Sequence, residues 1–121
     1  TATEHAMMAR LMIDSAVIWA RDYRIDSFRF DLMGHQPRAA MEQLQAAVNA
    51  AAGRHIHLIG EGWNFGEVAD GRRFLQAAQL SLAGSGIGTF SDRARDAARG
   101  GSPGDSGRAL VARQGWLSGL H

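Results

Sequence analysis

Two carboxylates, Asp31 and Glu61, stand at the ends of two stretches whose polarity alternates residue by residue. From Arg24 to Leu32, Phe28 and Phe30 alternate with Arg29 and Asp31; from His55 to Glu61, Ile56 and Leu58 alternate with His57 and Ile59. Period two is the signature of strands, so each acid closes a predicted strand. Where strands run parallel, reacting groups gather at their carboxyl ends, and both acids should then project into one crevice. Two converging carboxyl groups suit glycosidic cleavage. One protonates the departing oxygen while the other attacks the anomeric carbon or activates water, and a gap of about 5 to 5.5 Å selects the retaining route through a covalent glycosyl-enzyme.

The neighbours divide the two roles. Arg29 shares the face of Asp31 one layer deeper, and an adjacent cation favours the charged carboxylate that a nucleophile needs. Glu61 sits between Gly60 and Gly62 beside Trp63, where partial desolvation would keep it protonated and fit to act as an acid. A strand-terminal carboxylate can equally be a helix cap or half of a surface ion pair, and the pattern alone leaves that alternative open.

The elements that would hold these groups follow from period and punctuation. Met8, Leu11, Met12, Ser15/Ala16 and Trp19 recur at helical spacing, predicting an amphipathic helix that ends near Asp22, with Thr1 and Glu4 placed as a capping box. After the loop 33–36, Pro37 suits a first helical turn, and the Ala-rich stretch Ala39–Ala52 reads as a helix stopped by Gly53. Strand, helix and strand with short loops imply a parallel pair and an α/β class. Phe74, Leu75, Ala78 and Leu82 predict a third helix over 71–82. Beyond it the glycines at 84, 86 and 88 break the pattern, Ser91 is placed to cap a short helix over 92–99, and the rest reads as loop.

Bulk properties narrow the class. The chain of 121 residues is 45% hydrophobic and 21% charged, which fits one globular core and excludes wholesale disorder. Thirteen basic against 12 acidic residues, with no basic run, argue against a nucleic-acid partner. There is no cysteine, so neither a disulfide framework nor a thiolate metal site can form. The longest apolar runs fall short of a membrane span and no leader pattern is present, and secreted and cytoplasmic addresses both remain open. No cofactor is called for. His55 and His57 share a strand face, but spacing supplies no third ligand, so no metal site is assigned. Gly84-Ser-Gly-Ile-Gly88 lacks the spacing and the preceding strand of a dinucleotide loop. Asp92, Arg93, Arg95, Asp96 and Arg99 read as a solvated helix face.

Read as words, Ile25-Asp-Ser-Phe-Arg-Phe-Asp-Leu-Met-Gly34 and Ile59-Gly-Glu-Gly-Trp-Asn-Phe-Gly-Glu-Val68 closely resemble two segments of the α-amylase superfamily, in the form seen in type I pullulanases and limit dextrinases. The resemblance continues through Gly84-Ser-Gly-Ile-Gly-Thr-Phe-Ser-Asp-Arg93 and Arg95-Asp-Ala-Ala-Arg-Gly-Gly-Ser-Pro103, and helix 4–22 resembles the segment ahead of the nucleophile strand. It implies that residues 1–121 are a fragment of a (β/α)8 TIM-barrel domain around the fourth and fifth strands. It further implies Asp31 as nucleophile, Glu61 as acid/base and Arg29 as the supporting arginine, with Trp63 packing a ring face on sugar at the donor side. The family often has a histidine two residues beyond the glycine matched by Gly34. Here that place holds Gln36, and His35, one residue earlier, is the substrate-contacting candidate.

The implied substrate is an α-glucan such as pullulan, starch or glycogen, cut at α-1,6 branch linkages. An isoamylase-like or glycogen-debranching enzyme, or a non-catalytic carbohydrate-binding remnant, are the alternatives. The superfamily's third carboxylate and its earlier Asp/His segment have no counterpart here. A barrel of roughly 250 residues needs eight strands against the two read here, so the isolated fragment is expected to be inactive and to require the remainder of the barrel.

Overall fold

The computed structural model describes residues 2–119, which leaves the Thr1 half of the expected capping box outside the described residues. The chain divides into two compact units, one ending at Phe90 and the other beginning at Ser91.

The first unit contains α1 (Ala6–Arg21), β1 (Ser27–Phe30), α2 (Arg38–Ala52), β2 (His57–Gly60) and β3 (Gly88–Thr89). The three strands form one parallel sheet in the order β1-β2-β3. The α/β class and the strand-helix-strand unit agree with the sequence reading. The third strand was not anticipated, because two residues are too few to show a period. Both expected strands are real but shorter than the alternation. β1 is bracketed by Arg24 and Leu32, whose positive φ angles of 58° and 47° take the chain out of the extended region.

α2 carries Ala40, Met41, Leu44, Gln45 and Val48 on its buried face. Pro37 precedes its first turn in extended conformation, and Gly53 closes it at φ 67°, the left-handed region that costs glycine little. Met41, Leu44 and Val48 are fully buried with Ile56 and Met33, Leu58 is nearly so, and each large side chain so removed from water contributes about 1.5–3 kcal/mol. Two polar side chains of α2 also place β2. Asn49 Oδ1 accepts from the Ile56 N–H at 2.7 Å, and Gln45 Nε2 donates to the Ile56 carbonyl at 3.3 Å. The backbone at the mouth of β2 is thereby satisfied while it is buried.

α1 packs on α2 through a stripe displaced from the expected one. Ala16 and Ala20 are buried and Met12, Ile13 and Val17 lie partly buried against the core, whereas Leu11 is 62% exposed and Trp19 stacks on Tyr23 at 4.6 Å. Small alanines allow the helices to approach, so the bulkier residues stay at the margin of the contact. α1 begins from His5 with no side-chain cap, and Glu4 is ion-paired to Arg73.

The helix expected over 71–82 does not form. Residues 75–77 lie extended beside 36–38, with the Arg38 N–H donating to the Leu75 carbonyl at 2.8 Å and the Ala77 N–H to the Gln36 carbonyl at 2.8 Å. These tertiary partners take backbone groups that a helix would have used, and Leu75 and Leu80 of the apparent stripe are left 62% and 92% exposed. The connection from β2 to β3 instead carries a short 3-10 segment, Gly66–Gly71, and a series of turns.

In the second unit, α3 (Asp92–Arg99) begins as expected at Ser91, whose Oγ accepts from the Ala94 N–H at 3.1 Å. Its face carries the expected exposed charges, with Arg95 and Asp96 paired at 2.8 Å. A further one-turn helix, α4 (Arg108–Ala112), lies within the stretch read as loop. Asp105 organises that stretch, accepting from the Ser102 N–H at 2.8 Å and pairing with Arg113 at 3.2 Å. No helix of the described residues is long and apolar enough to cross a membrane.

The Ser102 N–H, assisted by Arg113, holds the Asp105 carboxyl below the usual carboxylate range. A folded-state value below the unfolded one stabilises the loop above the ordinary carboxylate range, and that stability is lost as pH falls through the lower folded value. The Ser102 amide resonance should therefore titrate below the normal Asp range in NMR, and Asp105→Asn should abolish the transition. A midpoint at or above the normal range would contradict the assignment.

Candidate active site

The site is built by strand register. Arg29 is paired with Ile59 and Phe30 with Gly60, so the next residue of each strand is an acid, Asp31 on one side and Glu61 on the other. The Glu61 N–H donates to the Phe30 carbonyl at 3.0 Å, extending the pairing to the end of the strand. Phe28 and Phe30 pack into the core, and the pleat therefore turns Arg29 and Asp31 to the opposite, exposed face. On β2 the same rule buries Ile56 and Leu58 and exposes His57 and Ile59.

Arg29 joins the two acids. Its Nη1 donates to Asp31 Oδ1 at 2.7 Å and its Nη2 to Glu61 Oε1 at 2.8 Å, so both carboxylates lie within the span of one guanidinium. Two like charges this close are tolerable because a planar fork can serve both. The hydrogen bond to Asp31, with the field of Glu61 added, raises the guanidinium above its ordinary value. Its carbon also lies 5.8 Å from the centroid of the Phe90 ring, a cation–π distance that props the side chain from the β3 side.

The acids differ in setting. The Asp31 side chain is 75% exposed and engaged through one oxygen, while that of Glu61 is 20% exposed and engaged through both. The second Glu61 oxygen accepts from the Leu32 N–H at 3.0 Å. That donor is aimed by the left-handed conformation of Leu32, φ 47° and ψ 42°, which costs a non-glycine residue about 1–2 kcal/mol. The recess around Glu61 is thus furnished with donors, where the sequence pointed to an apolar neighbour.

Glycines set how closely the two loops approach. A Cβ on Gly60 would fall 2.8 Å from the Met33 side chain and the Phe30 carbonyl. A Cβ on Gly34 would fall 2.2 Å from the Trp63 carbonyl oxygen and 2.9 Å from its nitrogen. Gly34 is buried, and its N–H donates to the Glu61 carbonyl at 2.8 Å, so the loop after β1 lies directly on the loop after β2.

Asp31, Glu61 and Arg29 are therefore brought together as the spacing required. Trp63, partly buried, follows Glu61 by two residues with its backbone against Gly34. His35 ends the 3-10 turn Met33–His35 and stacks on Phe65 at 4.7 Å. It lines a cavity of about 170 Å³ with Glu4, Glu67, Arg73 and Phe74, and its Nε2 is buried with no hydrogen-bond partner among the described residues. The Leu32 N–H and Phe90 were not foreseen, since backbone donors and loop aromatics leave no periodic trace.

No protein-family model matches the chain. Among individual proteins, it is 49% identical over 119 residues to a pullulanase of Klebsiella aerogenes, covering 98% of this chain and 10% of that one. It is 46% identical over 127 residues to the chloroplastic pullulanase 1 of Arabidopsis thaliana, covering 99% of this chain and 13% of that one. The crystal structure of a maltotriose complex of Klebsiella pneumoniae pullulanase matches with a TM-score of 0.84 and 49% identity, over 94% of this chain and 12% of that one. The chain thus spans about a tenth of the length of the relatives it matches.

Gly34→Ala should force the two loops apart and lower stability by about 1–3 kcal/mol, the usual cost of overpacking. A shift of the urea midpoint in a polypeptide carrying this segment measures it, and an unchanged midpoint would show that the contact gives way freely.

Proposed function

This chain is homologous to the pullulanases, α-1,6 debranching glycoside hydrolases, and on that premise we propose that it is a catalytic-barrel segment supplying the nucleophile and the acid/base of a retaining debranching hydrolase. The observation that carries the reading is the single guanidinium shared by Asp31 and Glu61 at the ends of adjacent parallel strands. In this reading β1 and β2 are the fourth and fifth strands of a (β/α)8 barrel, and residues outside the segment complete the cleft. The substrate is an α-glucan, in keeping with the maltotriose bound by the relative of known structure.

Asp31 is the nucleophile. It is the more open of the two acids, and Arg29 keeps its negative charge in place while leaving one oxygen uncommitted to that contact. Attack on the anomeric carbon forms the glycosyl ester as the bond to the leaving oxygen breaks, and Glu61 delivers a proton to that oxygen. A protonated Glu61 donates its O–H from one oxygen to the glycosidic oxygen, while its oxygens retain acceptor capacity for Arg29 and the Leu32 N–H. The ionised Glu61 then removes a proton from water, which attacks the ester, restores Asp31 and releases the sugar with its configuration retained. Trp63 and His35 are assigned to substrate contact, Trp63 at the donor side.

In a full-length enzyme carrying this segment, Asp31→Asn and Glu61→Gln should each lower kcat on pullulan by several orders of magnitude, since neither amide can attack or protonate. Reducing-sugar assays measure this, and near-normal turnover by either variant would remove the assignment.

The purified 121-residue chain should release no reducing sugar from pullulan. Among the described residues the outer edges of β1 and β3 have no strand partner, and Arg29 and Ile59 lie on a partly exposed face. Measurable hydrolysis by the isolated chain would show that the site is complete without the rest of a barrel.

A further inference from the structure

Gln76 lies outside both motifs, in the long connection from β2 to β3, and is only 4% exposed. Burying a primary amide is costly unless both of its ends are satisfied, and here both are. Its Nε2 donates to the Gly34 carbonyl at 3.0 Å and its Oε1 accepts from the Gly71 N–H at 3.2 Å. Its backbone is held as well, through the short antiparallel bridge to Pro37.

The partners of that amide matter more than its burial. Gly34 is three residues beyond Asp31, and its N–H already donates to the Glu61 backbone carbonyl. Gly71 ends the 3-10 segment of the connection that leaves Glu61. Asp70, just before it, is tied back to Asn64 by two hydrogen bonds, at 2.8 and 2.9 Å, three residues beyond Glu61. The amide of Gln76 is therefore a clasp between the loop that carries Asp31 and the loop that carries Glu61. The same two loops must also keep the Leu32 N–H on Glu61 Oε2.

We propose that Gln76 is a positioning residue for the reaction, its side-chain amide fixing the separation of the two carboxyl groups without touching substrate. The inference rests on the catalytic reading above. Displacement by about 1 Å of groups that must act together can cost on the order of 100-fold in rate, so a clasp of this kind acts on turnover rather than on substrate binding.

The test uses a full-length enzyme carrying this segment, with Gln76→Glu and Gln76→Leu measured on pullulan. Gln76→Glu keeps the volume and the acceptor for Gly71 but, in its ionised form, replaces the donor to Gly34 with an oxygen facing a carbonyl, so its kcat is followed at pH values high enough to ionise it. Gln76→Leu removes both bonds. Each variant should lose about 10- to 100-fold in kcat with KM within about threefold of the unsubstituted enzyme, at temperatures well below its own thermal midpoint.

A kcat within twofold of normal for Gln76→Glu would overturn the proposal. So would a loss that disappears on cooling below the melting transition, which marks a role in stability alone, or a change confined to KM. If Gln76→Leu does not accumulate as folded enzyme, Gln76→Glu decides the question by the same criteria. Failure of the underlying reading looks different, because the unsubstituted enzyme would then be inactive or Asp31→Asn would retain turnover.

Discussion

The site depends on one electrostatic constraint: two carboxylates brought side by side by strand register must share a cation. The pairing of Arg29 with Ile59 and of Phe30 with Gly60 leaves Asp31 and Glu61 no choice of neighbour. Without Arg29 between them, the two negative charges would face each other uncompensated. The fork geometry of arginine matters as much as its charge, because each acid takes a different terminal nitrogen.

Around that triad the loops are packed backbone against backbone. Gly34 rests on the Trp63 backbone, the Gly34 N–H holds the Glu61 carbonyl, and the Leu32 N–H holds the Glu61 side chain. Polar main-chain groups at a strand end would otherwise look to water, and here they meet one another and the Glu61 carboxyl group. The strained turn at Leu32 is sustained by these surroundings, which is the usual circumstance in which such strain persists.

The supporting layers are asymmetric. α1 and α2 contribute much of the core that is buried with Phe28, Phe30 and Leu58, and the other face of the sheet carries Arg29, Asp31, Ile59 and Glu61. A cation and two acids can remain on a sheet face only if that face borders water or a polar cleft. The apolar side therefore fixes the positions of the strands, while the open side presents the charged groups.

The sequence by itself determined the parallel strand-helix-strand unit and its class, because alternation around Asp31 and Glu61 and the stretch from Pro37 to Gly53 are local signals that burial later honours. It also determined which two acids and which arginine meet, since a side-chain period of two places Arg29 and Asp31 on one face by necessity. The similarity to known enzymes was likewise legible in the motifs around those residues. What only tertiary structure decided lies where a segment's backbone partners are distant. Residues 75–77 carry a helical spacing yet pair with 36–38, and β3 exists through its pairing with β2. The Leu32 donor, the Phe90 prop and the Gln76 clasp depend on loop paths that leave no periodic trace in the residues themselves. Hydrogen bonds between segments remote in the chain select among locally plausible conformations, and a reading along the chain cannot weigh partners it has not yet placed.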